Sequence, residues 1–332
     1  MILVTGGTGL VGAHLLYELC LAGKTPRALY RAPNSLNGVK SLFKSKSDIF
    51  ESLFAQIEWT QGDILDLETL KFAFADVTEL YHCAALISFD PKDYKKLQQI
   101  NVAGTANTVN CALDFKVAKM CYVSSIASLG KTTAPHSINE DTDWNIENPN
   151  VYALSKYQAE LEVWRGIQEG LQAVIINPGV ILGAGFWNKG SGKLFGFAKK
   201  GSAYYFPGGS GFVGVSDVVK LMQLGMESKN ANQRYICVSE NLSYLEVFSF
   251  MSKGFGTQKP TKKLSFLFLE MIWRLDYIKQ KITGGPRKIT AQTVFSLRHQ
   301  DFYSAQKSID MLKMEYQKID KIILDCCNAY IN

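Results

Sequence analysis

Met1-Ile-Leu-Val-Thr-Gly-Gly-Thr-Gly-Leu-Val-Gly12 opens the chain and decides how the rest of it is read. Ile2 to Val4 form a β-branched and aliphatic run suited to a strand buried on both faces, and Thr5-Gly6-Gly7 signals a chain reversal. Apolar residues then recur at Leu10, Val11, Leu15, Leu16 and Leu19, near the helical period, with Gly23 placed to end the helix. In such a strand–turn–helix unit Gly6 allows a tight turn, Gly9 lets backbone N–H groups approach a pyrophosphate, and Gly12 lets helix and strand pack closely. Thr8, Leu10 and Val11 share the turn and join the candidate dinucleotide contacts. An ordinary βα turn is the alternative reading. A turn so close to residue 1 leaves no room for a signal peptide ahead of it, so the chain is expected to begin inside its own cofactor domain.

Composition narrows the class. At 332 residues the chain can bury a large core as one elaborated domain or two, and 47% hydrophobic with 20% charged residues excludes disorder. The net charge of +6 reads as an excess spread along the chain without a basic run interleaving aromatics, which argues against nucleic acid as a partner. Seven cysteines are odd in number and show neither C-x2-C spacing nor a Cys/His cluster, so reduced thiols, a cytoplasmic location and no metal site are expected. No apolar stretch is long enough to span a membrane. The apolar segment Leu264 to Trp273 contains Glu270 and is expected to form a buried helix face; contact with a membrane surface is the less favoured alternative.

Further strands are expected at Lys24–Arg31, Ile57–Asp63, Glu79–Ala85, Val117–Ser125 and Ala173–Asn177, separated by helical segments. Short links between βα units predict an α/β fold with a doubly wound parallel sheet. Residues 1–180, with 211–238 returning to the sheet, are expected to form a dinucleotide-binding domain; 181–210 and 239–332 are expected to form a smaller, mostly helical substrate region. The aromatic cluster Phe186, Trp187, Phe195, Phe197, Tyr204, Tyr205, Phe206 and Phe212 suggests a lid.

Arg31 falls at the carboxyl end of the second strand, where an arginine can pair with the 2′-phosphate of NADP and an acid would favour NAD. NADP is therefore the expected cofactor, with NAD possible; a solvated loop arginine is the bland alternative. Asp63-Ile64 could meet the adenine edge, or Asp63 could cap a helix. The small residues Ala84 and Ala85 leave space at a strand tip for ribose and phosphates, whereas His82 reads as core.

Tyr152-Ala-Leu-Ser-Lys156 carries the chemistry. At i and i+4 the Lys156 ammonium can approach the Tyr152 phenol on one helix face, and a nearby cation would lower the phenol's pKa toward working pH. Together with the glycine turn and Ser124-Ser125 at a strand end, this pattern resembles the extended short-chain dehydrogenase/reductase superfamily. It is most similar to the dihydroflavonol-reductase and 3β-hydroxysteroid-dehydrogenase group of the NAD-dependent epimerase/dehydratase family. The resemblance also includes His82-Cys-Ala-Ala85, Asn101-Val-Ala-Gly-Thr105 and Asn177-Pro-Gly-Val-Ile-Leu-Gly183, and runs to about residue 220.

The resemblance implies a Rossmann fold in which Tyr152 is the general acid/base and Ser125 stabilises charge on the substrate oxygen. By the same resemblance Lys156 also binds the nicotinamide ribose, Pro178, Gly179 and Val180 line the nicotinamide, and Ser124 caps or packs. Asn101 could support the site, although a helix N-cap is slightly preferred. Two departures stand out. The diphosphate-gripping arginine of nucleotide-sugar epimerases is replaced by Ser210-Gly211, and the usual Arg-Pro is Asn177-Pro178; Lys189, Lys193, Lys199 and Lys200 remain alternative clamps. These features favour an NADP(H)-dependent reductase or dehydrogenase of an apolar or aromatic carbonyl. An epimerase or dehydratase with bound NAD is the second reading, and a nucleotide sensor without turnover the third. Relatives use helices near Asn101 and Val151 as dimer interfaces, so monomer and homodimer both remain open.

Overall fold

The computed structural model describes residues 1–132, 136–147, 149–285, 287 and 289–331. Thr133 to Pro135 and Asn148 lie outside the described residues. The main strands are β1 (Ile2–Thr5), β2 (Arg27–Tyr30), β3 (Glu58–Gln61), β4 (Glu79–His82), β5 (Lys119–Val123) and β6 (Ala173–Pro178); β1, β5 and β6 carry the apolar runs of a sheet covered on both faces, whereas β3, at the sheet edge, buries only Thr60. After β7 (Val180–Leu182), β8 (Tyr204–Tyr205) and β9 (Gly209–Gly214), the chain returns to the main sheet as β10 (Gln233–Cys237). Two short strands follow, β11 (Glu240–Ser243) and β12 (Lys262–Lys263).

Seven strands form one parallel sheet in the order β10-β6-β5-β4-β1-β2-β3. The order reverses between β1 and β4, which creates the crevice where such sheets bind ligands at their carboxyl ends. Successive side chains of a strand point to opposite faces, and the core divides accordingly: Val174 and Ile176 pack into one cluster, Ala173 and Ile175 into the other. Helices Leu10–Leu21 and Val215–Glu227 cover the first face; Gly104–Asp114 and Val151–Gln168 cover the second. The fold class read from the sequence is thus the fold observed.

Beyond Ser239 helices predominate, with two short strands among them: β11 pairs antiparallel with β9, and β7 pairs parallel with β9, giving a second, three-stranded sheet. Four of the eight aromatics expected to form a lid belong to the core of that sheet, whereas Phe197 and Tyr204 are exposed. Phe195 and Phe212 are fully buried, with Trp187 and Phe206 packed against them, because the small sheet needs an apolar layer of its own. The segment around Leu264 to Trp273 is indeed helical, within Phe266–Thr283, but of that helix only Leu269 and Gln280 are buried. Among the described residues no neighbouring element covers its outer face, so the expected buried face is instead largely exposed. The segment from Asn34 to Glu51 holds two helices, Leu36–Lys46 and the start of Phe50–Ala55.

Candidate active site

The glycine turn is built as its spacing implies, and for reasons visible in the backbone. Gly6 has φ of +70°, and a Cβ there would meet the Ala84 backbone nitrogen at 2.5 Å, so the turn leaves β1 directly against the exit of β4. A Cβ on Gly12 would meet the Gly6 carbonyl oxygen at 2.3 Å. Gly9 is exposed and forms the N-cap of helix Leu10–Leu21 without a side chain of its own, and no acidic residue stands in that helix's first turn. The N–H groups of Leu10 and Val11 therefore present uncapped donors and the positive end of the helix dipole, which fits a diphosphate. Thr8 lies half-exposed beside them.

Beyond the turn, Arg31 follows β2 with its side chain 70% exposed and its guanidinium 4.0 Å from the Asp63 carboxylate. Asp63 accepts a hydrogen bond from the Leu65 N–H at 3.0 Å and so shapes its own turn. It is not the helix cap considered for it: Asp66 caps Leu67–Ala73, accepting from the Glu68 and Thr69 N–H groups. Ile64 is buried, and its carbonyl accepts from Asn107 Nδ2 at 3.0 Å. A Cβ on Gly104 would meet Ile64 Cδ1 at 2.5 Å. Ala84 is half-buried and Ala85 exposed at the β4 tip.

Tyr152 sits in the first turn of helix Val151–Gln168, whose N-cap Asn150 accepts from the Ala153 N–H at 2.8 Å. Its phenol is almost fully buried, and burial pushes it up to about 12, opposed in part by a hydrogen bond with the Ser125 side chain. Ser125 follows β5 and its hydroxyl also accepts from the Ala127 N–H at 3.1 Å, which fixes the side chain beside the phenol. Phe89 lies edge-on over Tyr152, with ring centroids 5.3 Å apart. Ile87, two residues earlier, is 58% exposed on the same loop.

Lys156 departs from the expected pairing. Its ammonium donates to the Tyr122 hydroxyl at 2.7 Å and to the Val123 carbonyl at 2.9 Å, so it is held by β5 and not by Tyr152. Helical spacing allowed both partners, but the β5 acceptors lie beneath the helix in the core. Burial draws the Lys156 ammonium down to about 7, with Glu160 opposing the shift.

Asn101 also differs from the reading that preferred it as an N-cap. The helical path starts earlier, at Tyr94, and Asn101 lies inside a wide turn of π type, Gln98–Ala103. Its side chain accepts from the Leu86 N–H at 2.7 Å and donates to the Leu86 carbonyl at 3.0 Å and to Ser155 Oγ at 2.9 Å. It therefore ties the loop carrying Phe89 to the turn carrying Tyr152. His82 is core as read: its ring nitrogens bond Thr5 Oγ1 at 2.6 Å and Thr105 Oγ1 at 3.1 Å.

Ser124 packs as expected, and it leads to residues that reading the sequence missed. Glu160 Oε2 accepts from Ser124 at 2.6 Å, Ser128 at 2.8 Å and Asn177 Nδ2 at 2.8 Å, while Arg234 Nη1 reaches Oε1 at 3.2 Å. The Asn177 that replaces the family's arginine thus binds this carboxylate, and a cation from β10 stands on its other oxygen. The one available signal was Glu160 four residues after Lys156, a spacing that shares a face. Pro178 ends β6; Gly179 and Val180 follow half-buried. A Cβ on Gly179 would strike the Gly211 carbonyl at 2.3 Å, so packing against β9 demands this glycine. Gly211 has no room either, since its Cβ would meet Val238 Cγ2 at 2.8 Å, which leaves no space for an arginine clamp there. Lys189, Lys193, Lys199 and Lys200 are all exposed.

The sheet order and the glycine turn define a dinucleotide-binding α/β protein of Rossmann type. The chain belongs to the NAD dependent epimerase/dehydratase family, whose model matches residues 2–237. A Synechocystis protein provisionally named dihydroflavonol 4-reductase is 27% identical over 339 residues, spanning 99% of this chain and 94% of its own. Tetraketide alpha-pyrone reductase 2 of Arabidopsis thaliana is 27% identical over 95% of this chain and 98% of its own length. Among solved structures, that of gox2253 superposes with a TM-score of 0.82 at 26% identity, covering 100% of this chain and 98% of that one. The UDP-glucose 4-epimerase of Thermotoga maritima shares the fold, with a TM-score of 0.75 at 18% identity over 99% and 98% of the two chains. Among the described residues no helix is long and apolar enough to cross a membrane, and no group of side chains is arranged to hold a metal ion.

Proposed function

We propose that this protein is an NADP(H)-dependent oxidoreductase that reduces an apolar or aromatic carbonyl, with Tyr152 as the proton donor. The observation that carries the reading is the buried Tyr152 phenol beside the Ser125 hydroxyl, under Phe89. A phenol pushed up to about 12 is protonated at neutral pH, the state needed to give a proton to a carbonyl oxygen as it gains electrons. Ser125 would hydrogen-bond the same oxygen and stabilise its developing charge. A nicotinamide nucleotide, when bound, supplies the hydride. Gly6, Gly9, Gly12 and the adjoining Thr8, Leu10 and Val11 would hold its phosphates, with Ala84, Ala85, Pro178, Gly179 and Val180 along the crevice. Asp63 and Ile64 would meet the adenine, and Arg31 the 2′-phosphate. Lys156, 2.7 Å from the Tyr122 hydroxyl, would bind ribose hydroxyls from the floor of the site.

Two features favour an apolar carbonyl over a sugar nucleotide: Ile87 and Phe89 present apolar surface beside Tyr152, and Gly211 has no space for a diphosphate clamp. The reductase names of the Synechocystis and Arabidopsis relatives point the same way. Screening aromatic and aliphatic carbonyl compounds for NADPH oxidation, with UDP-sugars in parallel, tests the reading. Turnover of a carbonyl compound that falls at least about a hundredfold in Tyr152→Phe is expected. Purification with retained NAD and interconversion of a UDP-sugar without net nucleotide oxidation would replace it with the epimerase reading.

A further inference from the structure

Helix Phe266–Thr283 carries an apolar face that nothing among the described residues covers. Leu267, Met271, Leu275, Ile278 and Ile282 are 80%, 49%, 56%, 52% and 79% exposed. Their spacing of four, four, three and four residues places all five within about 80° of the helix circumference, along a stripe of about 22 Å. The opposite face is the anchored one. Leu269 and Gln280 are buried there, and Gln280 Nε2 and the Arg287 N–H both reach the Asp90 carboxylate, at 3.4 and 3.1 Å. The stripe is therefore held outward by a fixed inner face.

Charge says what would cover it. Residues 259–298 contain nine lysines and arginines against two acidic residues, a net +7, whereas the whole chain carries +6. The basic excess is thus not spread along the chain as first read; it is gathered around this helix. On the helix itself Lys281 and Arg274, the latter paired with Glu270 at 3.0 Å, border one side of the stripe and Lys279 the other, all three exposed. A second copy meeting this face would set like charges against like, while an anionic bilayer accepts the apolar stripe among its acyl chains and the basic border at its headgroups.

We propose that helix Phe266–Thr283 is an interfacial helix that docks this protein on an anionic phospholipid surface, with Leu267, Met271, Leu275, Ile278 and Ile282 inserted and the flanking lysines and arginines on the headgroups. The inference does not depend on the carbonyl-reductase reading. Its consequence is a defined orientation, because Asp90, which anchors the helix, adjoins Phe89 over Tyr152.

Co-sedimentation of the full chain with vesicles of phosphatidylglycerol and phosphatidylcholine, beside vesicles of phosphatidylcholine alone, tests the proposal. Binding to the anionic vesicles is expected, weaker by at least about tenfold on the neutral ones and on raising salt from about 0.05 to about 0.5 M. The triple variant Leu267→Gln/Leu275→Gln/Ile282→Gln and the charge variant Lys279→Glu/Lys281→Glu should each lose that binding while keeping the native circular dichroism spectrum. Failure to sediment with anionic vesicles, or binding unchanged in both variants, overturns the proposal. So does a dimer in sedimentation velocity that the triple variant converts to monomer, which would assign the stripe to a second copy.

Discussion

Lys156 Nζ donates to the hydroxyl of Tyr122 at 2.7 Å and stands 4.4 Å from the centroid of the same ring. Tyr152 and Lys156, on one helix face, are thus served by different neighbours: Tyr152 by Ser125, Lys156 by β5. Tyr122→Phe keeps the ring and removes the hydroxyl, leaving the buried ammonium with the Val123 carbonyl. Urea unfolding should show a loss of about 1–3 kcal/mol. Unchanged stability would mean that the ammonium finds another acceptor at no cost.

Arg31 and Asp63 sit 4.0 Å apart at the carboxyl ends of β2 and β3. Arg31→Asp replaces an attraction for phosphate with a repulsion and sets two carboxylates together. The ratio of NADPH to NADH affinity should fall by about 10- to 100-fold, or about 1.4–2.8 kcal/mol, in fluorescence titrations. A ratio that does not move identifies Arg31 as a solvated loop residue.

Glu160 collects donors from four elements, so it organises the region beneath the site. Glu160→Gln removes the charge that faces Arg234 and turns part of the acceptor group into a donor against Asn177, Ser124 or Ser128. A destabilisation of about 3–5 kcal/mol is expected, as for other broken buried pairs. Arg234→Met in the same background should cost less than it does alone, because the two residues share one interaction. Strict additivity in the double-mutant cycle would show that they are not coupled.

Acid sensitivity has a specific source in His14 and His82, which burial draws down to about 4 and about 3. Below the unfolded value of about 6.5 the unfolded chain takes up protons that these folded rings refuse, so their contribution is present above that pH and is lost as pH falls toward 4. His14 Nε2 lies 3.1 Å from the Ala184 carbonyl, a bond that a glutamine amide can replace. His14→Gln should reduce the slope of stability against pH between about 6 and about 4.5 by up to about 1.4 kcal/mol per pH unit. The same slope in both proteins would show that His14 titrates normally.

The places of several residues could be read before any coordinates: Gly6, Gly9 and Gly12, the serines after β5 and Tyr152 lie at element boundaries, where local spacing fixes position, and Lys156 follows one helical turn on. Asn101 could not be read correctly, because its helix begins at Tyr94 and a wide turn re-aims the side chain toward Leu86 and Ser155. Asn177 and Arg234 lie 57 positions apart in the chain, and only the parallel pairing of β6 with β10 brings both to Glu160.

By itself the sequence determined the parallel α/β fold, the glycine turn and the placing of Tyr152 and Lys156 on one helix face, since each follows from backbone periodicity within one βα unit. Tertiary structure alone decided that Lys156 turns to Tyr122, that Phe195 and Phe212 are core while Phe197 and Tyr204 are exposed, and that helix Phe266–Thr283 faces outward. Those outcomes depend on which distant surfaces meet, and burial is a property of the assembled chain that no local pattern contains.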